Sequence, residues 1–310
     1  MNRHSADTDA RRPGPVPPAR SLGRALLAEA RPKQWIKNLL VFAAPGAAGV
    51  LNDPKIFLQT LAAFGCFCLA SAGTYYLNDA ADVAADRLHP TKRFRPIAAG
   101  DIAIGLARII GVAAILVAVG AAWAVNWHLA VVVACYVTLT TAYSLWLKHL
   151  PVLDVVSVAA GFVLRAIAGG TAVSVPISNW FFIVASFGSL FMVVGKRRAE
   201  SESMGGDAAS TRATLGTYSR EYLAQLQTVS TSVVLVGYCV WAFEKATLSG
   251  ASFPWFQLSI VPFAVAILRY ALLIDSGHGG APEEVVLGDR MLQVIGLVWA
   301  VIFATGVYTG

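Results

Sequence analysis

The chain is predicted to be an all-α integral membrane protein with nine transmembrane helices, and three observations predict it. Of its 310 residues, 56% are hydrophobic and only 14% are charged, whereas a soluble domain carries about 25% charged residues. Nine apolar runs approach the ~20 residues that a helix needs to cross the hydrocarbon core. Lys and Arg also divide between the two faces of such a bundle as the positive-inside rule requires.

The elements follow in order. Residues 1–20, "MNRHSADTDARRPGPVPPAR", are polar and proline-rich, with no apolar stretch of signal-peptide type. A disordered cytoplasmic tail is expected there, and 21–310 reads as a single nine-helix transmembrane domain. "SLGRALLAEARPKQW" sets Leu and Ala against Arg24 and Arg31 at near-helical spacing. That suits either an interfacial amphipathic helix or a cytoplasmic extension of the first span. The spans are expected at Trp35 to Leu51, Ile56 to Leu77, Ile102 to Val125, His128 to Leu147, Val152 to Ser174, Trp180 to Gly195, Tyr222 to Phe243, Trp255 to Ile274 and Met291 to Tyr308. Short turns such as "NDPK" and "VPISN" join some of them. Three longer loops, 78–101, 196–221 and 275–290, fall on one face if the spans alternate.

Every Lys and Arg except Lys55, Lys245 and the mid-span Arg165 lies on that same face. The N-terminus and the long loops are therefore expected to be cytoplasmic in a multi-pass protein of the plasma membrane. The net charge of +6 is accounted for by this bias, and no nucleic acid is needed to explain it. Cys66, Cys68, Cys135 and Cys239 all lie within spans without metal-type spacing, so they are expected to pack rather than to form disulfides or bind zinc. The five histidines are scattered, and no nucleophile elbow or Cys-His set is present.

Chemistry concentrates in "YYLNDAADVAADRLHPTKRFRPIAAG", residues 75–100. Asn78, Asp82 and Asp86 are four apart, so a helix continuing past the membrane would stack them on one face with Asp79 beside them. Carboxylates so placed repel one another, and a helix C-terminus disfavours anions. A hard divalent ion would relieve both, most naturally Mg²⁺ held partly through a substrate's phosphates. Lys92, Arg93 and Arg95 follow in an extended, proline-bounded segment suited to gripping phosphate oxygens. The alternative is that the acids merely pair with Arg87, Lys92, Arg93 and Arg95 in a solvated loop.

NDxxDxxxD followed by KRxRPIxxG resembles the first aspartate-rich motif of the UbiA superfamily of intramembrane prenyltransferases. That resemblance implies a ring of nine helices around a central cavity open sideways to lipid. Ordinary members carry a second DxxxD cluster after span six. This chain reads "FMVVGKRRAE" there, with Lys196, Arg197, Arg198 and one acid, Glu200. Taken with "RPKQWIKN", "YSLWLKH", "LRAIAGG" and "PFAVAILRYA", it is similar to the branch of the superfamily that transfers phosphoribosyl groups to decaprenyl phosphate in actinobacterial arabinan synthesis.

What the resemblance implies is transfer of 5-phosphoribosyl from phosphoribosyl diphosphate to decaprenyl phosphate, Mg²⁺-dependent and inverting at ribose C1. The acceptor phosphate is already ionised, so no general base is required. Catalysis can consist of in-line placement and charge neutralisation. Asp82 and Asp86 are expected to be the Mg²⁺ ligands, with Asp79 and Asn78 ligating or holding the metal's waters. Lys92, Arg93 and Arg95 would grip phosphates, Lys196 and Arg197 the donor's phosphates, and Glu200 a ribose hydroxyl or the metal's outer shell. Tyr143 and Lys148 match a YxxxxK element, although Lys148 also suits a snorkelling lysine. Arg165, about 20 Å into its span, is an intramembrane cation and hence a functional candidate, with a phosphate or Asp154 as its partner. Lys37 is expected to hold the lipid phosphate or to anchor the interface with Trp35. The 196–221 loop suits a lid or a disordered connection. Two rival readings are a prenyltransferase using a prenyl diphosphate donor and a nonenzymatic lipid-phosphate transporter. The absence of a second DxxxD disfavours the first, and the lack of an internal repeat disfavours the second. The sequence is compatible with a homo-oligomer and does not fix one.

Overall fold

The computed structural model describes residues 20–204, 214–250, 252–276 and 282–309. Most of the expected N-terminal tail and the middle of the 196–221 loop, where a lid was expected, lie outside the described residues. The structure is helical throughout. Short α1 (Leu22–Glu29) is followed by a 3₁₀ segment, Pro32–Phe42, and by α2 (Ala43–Ala48). Then come α3 (Pro54–Ala81), α4 (Val83–Leu88), α5 (Pro96–Ala99), α6 (Ile104–Val125), α7 (Trp127–Leu145), α8 (Leu153–Ala172) and α9 (Asn179–Met204). The remainder is α10 (Arg220–Ser249), α11 (Trp255–Asp275), α12 (Pro282–Gly288) and α13 (Arg290–Thr309).

Eight of these helices are long and apolar enough to cross a membrane among the described residues. They correspond to the second through ninth expected spans. The expected first span, Trp35 to Leu51, is not a continuous α-helix. Its 11-residue 3₁₀ run rises about 2.0 Å per residue, and six α residues follow at about 1.5 Å each. Together they cover roughly 31 Å, about one hydrocarbon thickness. Arg31, at φ 51°, breaks the chain between α1 and this segment, because the proline that follows disfavours the right-handed helical region for its predecessor. α1 is therefore a separate element that exposes Leu22 and Leu27 and buries Ala25 and Glu29; it is no extension of the first span.

Helices adjacent in sequence pack side by side: α3 on α6, α6 on α7, α7 on α8, α8 on α9, α9 on α10, α10 on α11 and α11 on α13. The ring closes where Gly49, after α2, meets Val307 of α13. Small residues line these contacts, as expected where lipid supplies no hydrophobic drive and close backbone approach supplies the packing. Ala63, Ala70, Ala118, Ala122, Ala130 and Ala168 are buried, while Ile109, Leu116, Val261 and Leu297 face outward. Asn126 joins two helices by capping: its side chain accepts from Leu129 N of α7 and donates to the carbonyls of Thr171 and Ala172 at the end of α8. The tightest approach is at Gly169, where an added Cβ would lie 1.7 Å from the Val41 carbonyl oxygen. Only glycine lets the 3₁₀ segment lie flat on α8 there, and that contact brings Asn38 and Lys37 into the ring.

Candidate active site

α3 runs past the expected membrane end at Leu77 and stops at Ala81. Asp82, with φ −89° and ψ 7°, interrupts the helix, and α4 restarts at Val83. The i to i+4 bonds from Asp82 N to Asn78 O and from Asp86 N to Asp82 O keep the acids in near-helical register. Their environments differ sharply. Asp79 and Asp86 are 4% and 3% exposed, whereas the Asp82 side chain is 51% exposed. Asp79 accepts from Arg31 and, at 3.1 Å, from Arg95; the same Arg95 Nη1 lies 2.8 Å from Asp86. Arg95 therefore ties two motif acids together. Arg87 donates to the Ala98 carbonyl. Lys92 and Arg93 sit half-buried in a one-turn 3₁₀ helix; Arg93 stacks on Phe94, and its Nε has no hydrogen-bond partner.

No three acids converge on a cation-sized point among the described residues. The donor set nevertheless suits Mg²⁺ in the manner usual for that ion, through one or two carboxylates and a substrate's phosphates. Asp82 is accessible, Asp86 lies one turn on, and the half-buried Asn78 amide makes no hydrogen bond of its own among the described residues. Glu29 of α1 completes the cluster. It is 1% exposed and lies against the Asp79 carboxylate. Burial, and then the neighbouring Asp79 carboxylate, push its pKa up to about 8.

The second cluster lies at the end of α9. Lys196 is 35% exposed and 3.9 Å from Glu200. Arg197 is 2% exposed; its guanidinium lies 3.0 Å from Glu200, 3.4 Å from Asp154 and 3.4 Å from the Tyr143 hydroxyl. Buried and paired in this way, Arg197 ties the end of α9 to Asp154, Glu200 and Tyr143. Asp154 also accepts from Thr214 and Tyr218, and Tyr218 in turn accepts from Val152 N at 2.6 Å. Burial and that carboxylate raise the Tyr218 pKa. Lys148, beyond α7, comes within 4.0 Å of Asp82.

Arg165 is 7% exposed and has no carboxylate partner among the described residues. Asp154, one of the two partners expected for it, pairs with Arg197 instead. Arg165 donates from Nε to Asn38 at 2.7 Å, from Nη1 to the Gly161 carbonyl at 2.8 Å and from Nη2 to the Tyr136 hydroxyl at 2.8 Å, with the Tyr136 ring 4.6 Å away. It pins the 3₁₀ segment to α8. Lys37, next to Asn38 on that segment, donates to Gln34 and pairs with Glu283 of α12 at 3.3 Å. Two adjoining apolar cavities, ≈ 560 and ≈ 500 Å³, share Ile36, Lys37, Leu40, Ala43, Phe181, Val184 and Phe263. Phe181 thus faces the cavity, while Trp180 packs in a neighbouring cluster and Phe182 is 48% exposed. A long apolar chain with its head near Lys37 fits this shape.

Comparison with known proteins agrees with the fold. Residues 39–294 match the UbiA prenyltransferase family. The chain is 43% identical over 295 residues to a Corynebacterium glutamicum protein named decaprenyl-phosphate phosphoribosyltransferase, covering 94% of this chain and 89% of that one. A Mycolicibacterium smegmatis protein of the same name is 43% identical over 305 residues, covering 94% and 95%. Among solved structures, a UbiA homolog from Archaeoglobus fulgidus bound to GPP and Mg²⁺ superposes with a TM-score of 0.68 at 18% identity, over 92% of this chain and 100% of that one. With eight apolar helices and this match along most of its length, the chain is a multi-pass membrane protein and belongs to the UbiA prenyltransferase family.

Proposed function

We propose that the chain transfers a 5-phosphoribosyl group from phosphoribosyl diphosphate to decaprenyl phosphate, releasing diphosphate with inversion at ribose C1. The observation that carries this reading is 43% identity along nearly the full length of two proteins named for that reaction. The departure at the second motif supports it. A donor with phosphates at both ends of its sugar, meeting a phosphorylated acceptor, calls for cations where a prenyl diphosphate site has acids.

The residues divide the work by exposure. Asp82 and Asp86, with the Asn78 amide beside them, are the proposed Mg²⁺ ligands; Arg31 and Arg95 fix Asp79 and Asp86 from behind. Mg²⁺ bound there with the donor's diphosphate would neutralise charge building on the leaving group. Lys196, Lys148, Lys92 and Arg93 face the donor's phosphates from the surrounding loops and helix ends. Lys37 receives the acceptor phosphate at the mouth of the apolar cavity, which holds the polyprenyl tail. The acceptor oxygen is already anionic, so the protein's task is to align it with C1 and exclude water. The cation bias supports a cytoplasmic position for this end of the bundle and the N-terminus, in a protein of the plasma membrane. The test is transfer of radiolabelled ribose from phosphoribosyl diphosphate to decaprenyl phosphate by purified protein in detergent. Label in the lipid phase that depends on Mg²⁺ is expected; a folded, lipid-supplied preparation that transfers none would refute the reading.

A further inference from the structure

The Lys37–Glu283 pair does more than anchor a loop. Glu283 belongs to α12, a seven-residue helix in the connection between the last two spans. The side chains of Lys37 and Glu283 are 20% and 14% exposed. Among the described residues, Glu283 Oε1 is buried, accepts no hydrogen bond of good geometry and has the Lys37 ammonium, 3.3 Å away, as its partner. Both residues line the same apolar cavity of ≈ 500 Å³, together with Pro282, Val286 and Leu287 of the same helix. A carboxylate held by charge alone, with no directional hydrogen bond, is easily exchanged for another anion. It also occupies the position where the head of a lipid lying in that cavity would sit.

We propose that Glu283 is a specificity-determining residue for the acceptor: an internal anion that neutralises Lys37 in the empty groove and that the acceptor's phosphate must displace. This rests on the reading of Lys37 as the acceptor-phosphate residue. It deepens that reading by giving the groove a resident competitor. The competitor lowers the apparent affinity for phosphorylated lipid by the fraction of molecules in which Lys37 is occupied. A lipid without an anionic head that evicted the carboxylate would leave Lys37 buried and unpaired, which is costly.

The test measures equilibrium binding of decaprenyl phosphate, without phosphoribosyl diphosphate, to the full-length protein in nanodiscs. It compares wild type, Glu283→Gln, Lys37→Gln and the double variant, with decaprenol as the uncharged control. Glu283→Gln is expected to bind decaprenyl phosphate about five- to tenfold more tightly than wild type. In the Lys37→Gln background the same substitution is expected to change nothing, because no ammonium remains to compete for. Equal or weaker binding by Glu283→Gln would overturn the inference. So would an equal gain in both backgrounds, which would mean that α12 acts only through packing. Wild-type protein that binds decaprenyl phosphate no better than decaprenol would instead remove the reading of Lys37 on which the inference rests.

Discussion

The end of α3 and the end of α9 carry opposite charge and the same plan. At the first, two acids are buried and matched by arginines: Asp79 by Arg31 and Arg95, and Asp86 by Arg95, while Asp82 is left exposed. At the second, Arg197 is buried and matched by Asp154 and Glu200, Arg198 pairs with Asp275, and Lys196 is left partly exposed. Each cluster neutralises its interior and presents one ionised group to the space between them. A run of like charges in sequence is therefore not a run of like roles. Depth separates Arg197, held by two carboxylates, from the partly exposed Lys196 beside it, and Asp79, held by two arginines, from the exposed Asp82.

That contrast can be broken at either end. The largest effect is expected from Arg197→Met, which strands Asp154 and Glu200 beside each other. Removing one partner of a buried pair costs about 3–5 kcal/mol, so a large drop in melting temperature in detergent is expected; unchanged melting would show that the pair is not structural. Asp82→Asn should do the reverse. Melting should stay close to wild type, as for an exposed substitution, while turnover falls about 10²–10³-fold, as when one preorganised charge-stabilising group is removed from a reacting site. Lys196→Gln should raise the KM for the donor about tenfold, in line with a charge-assisted hydrogen bond worth ~1.5–3 kcal/mol, again with little change in melting.

A separate, pH-dependent effect concerns Glu29, whose pKa burial and the Asp79 carboxylate push up to about 8. An unfolded glutamate releases its proton near 4.5. Between those values the folded state binds more protons, so this group's contribution to stability is complete below pH 4.5 and is lost as pH rises toward 8. Glu29→Gln stays neutral throughout. It should melt with wild type at pH 5 and above it at pH 9; parallel melting profiles would show that Glu29 does not titrate in this range.

The parts of this arrangement that are local in sequence were legible in it. Eight spans follow from apolar runs, and the Asp motif from three acids within one helical stretch. The pitch of the first span was not legible because hydropathy reports polarity and not pitch: the apolar run expected at Trp35 to Leu51 begins within a 3₁₀ segment that lies on α8, where Gly169 leaves room. The partners of the motif acids were illegible for a different reason. Arg31 and Glu29 reach Asp79 from a separate helix and its broken junction, Tyr218 reaches Asp154 from beyond the α9 connection, and Glu283 reaches Lys37 from the far end of the chain. None has a local signature, since each role exists only once the ring has closed. Arg197 and Lys196 are adjacent cations in sequence, and only the structure shows that the first is buried and the second partly exposed.

The most direct test of the account is a donor competition. Purified protein in nanodiscs is supplied with decaprenyl phosphate, Mg²⁺, ribose-labelled phosphoribosyl diphosphate and an excess of unlabelled geranyl diphosphate, alongside the Asp82→Asn variant. The account predicts label in the lipid phase at a rate that the prenyl diphosphate does not reduce, with almost none from the variant. A wild-type protein that consumes the geranyl diphosphate and leaves the ribose label in the aqueous phase would contradict it.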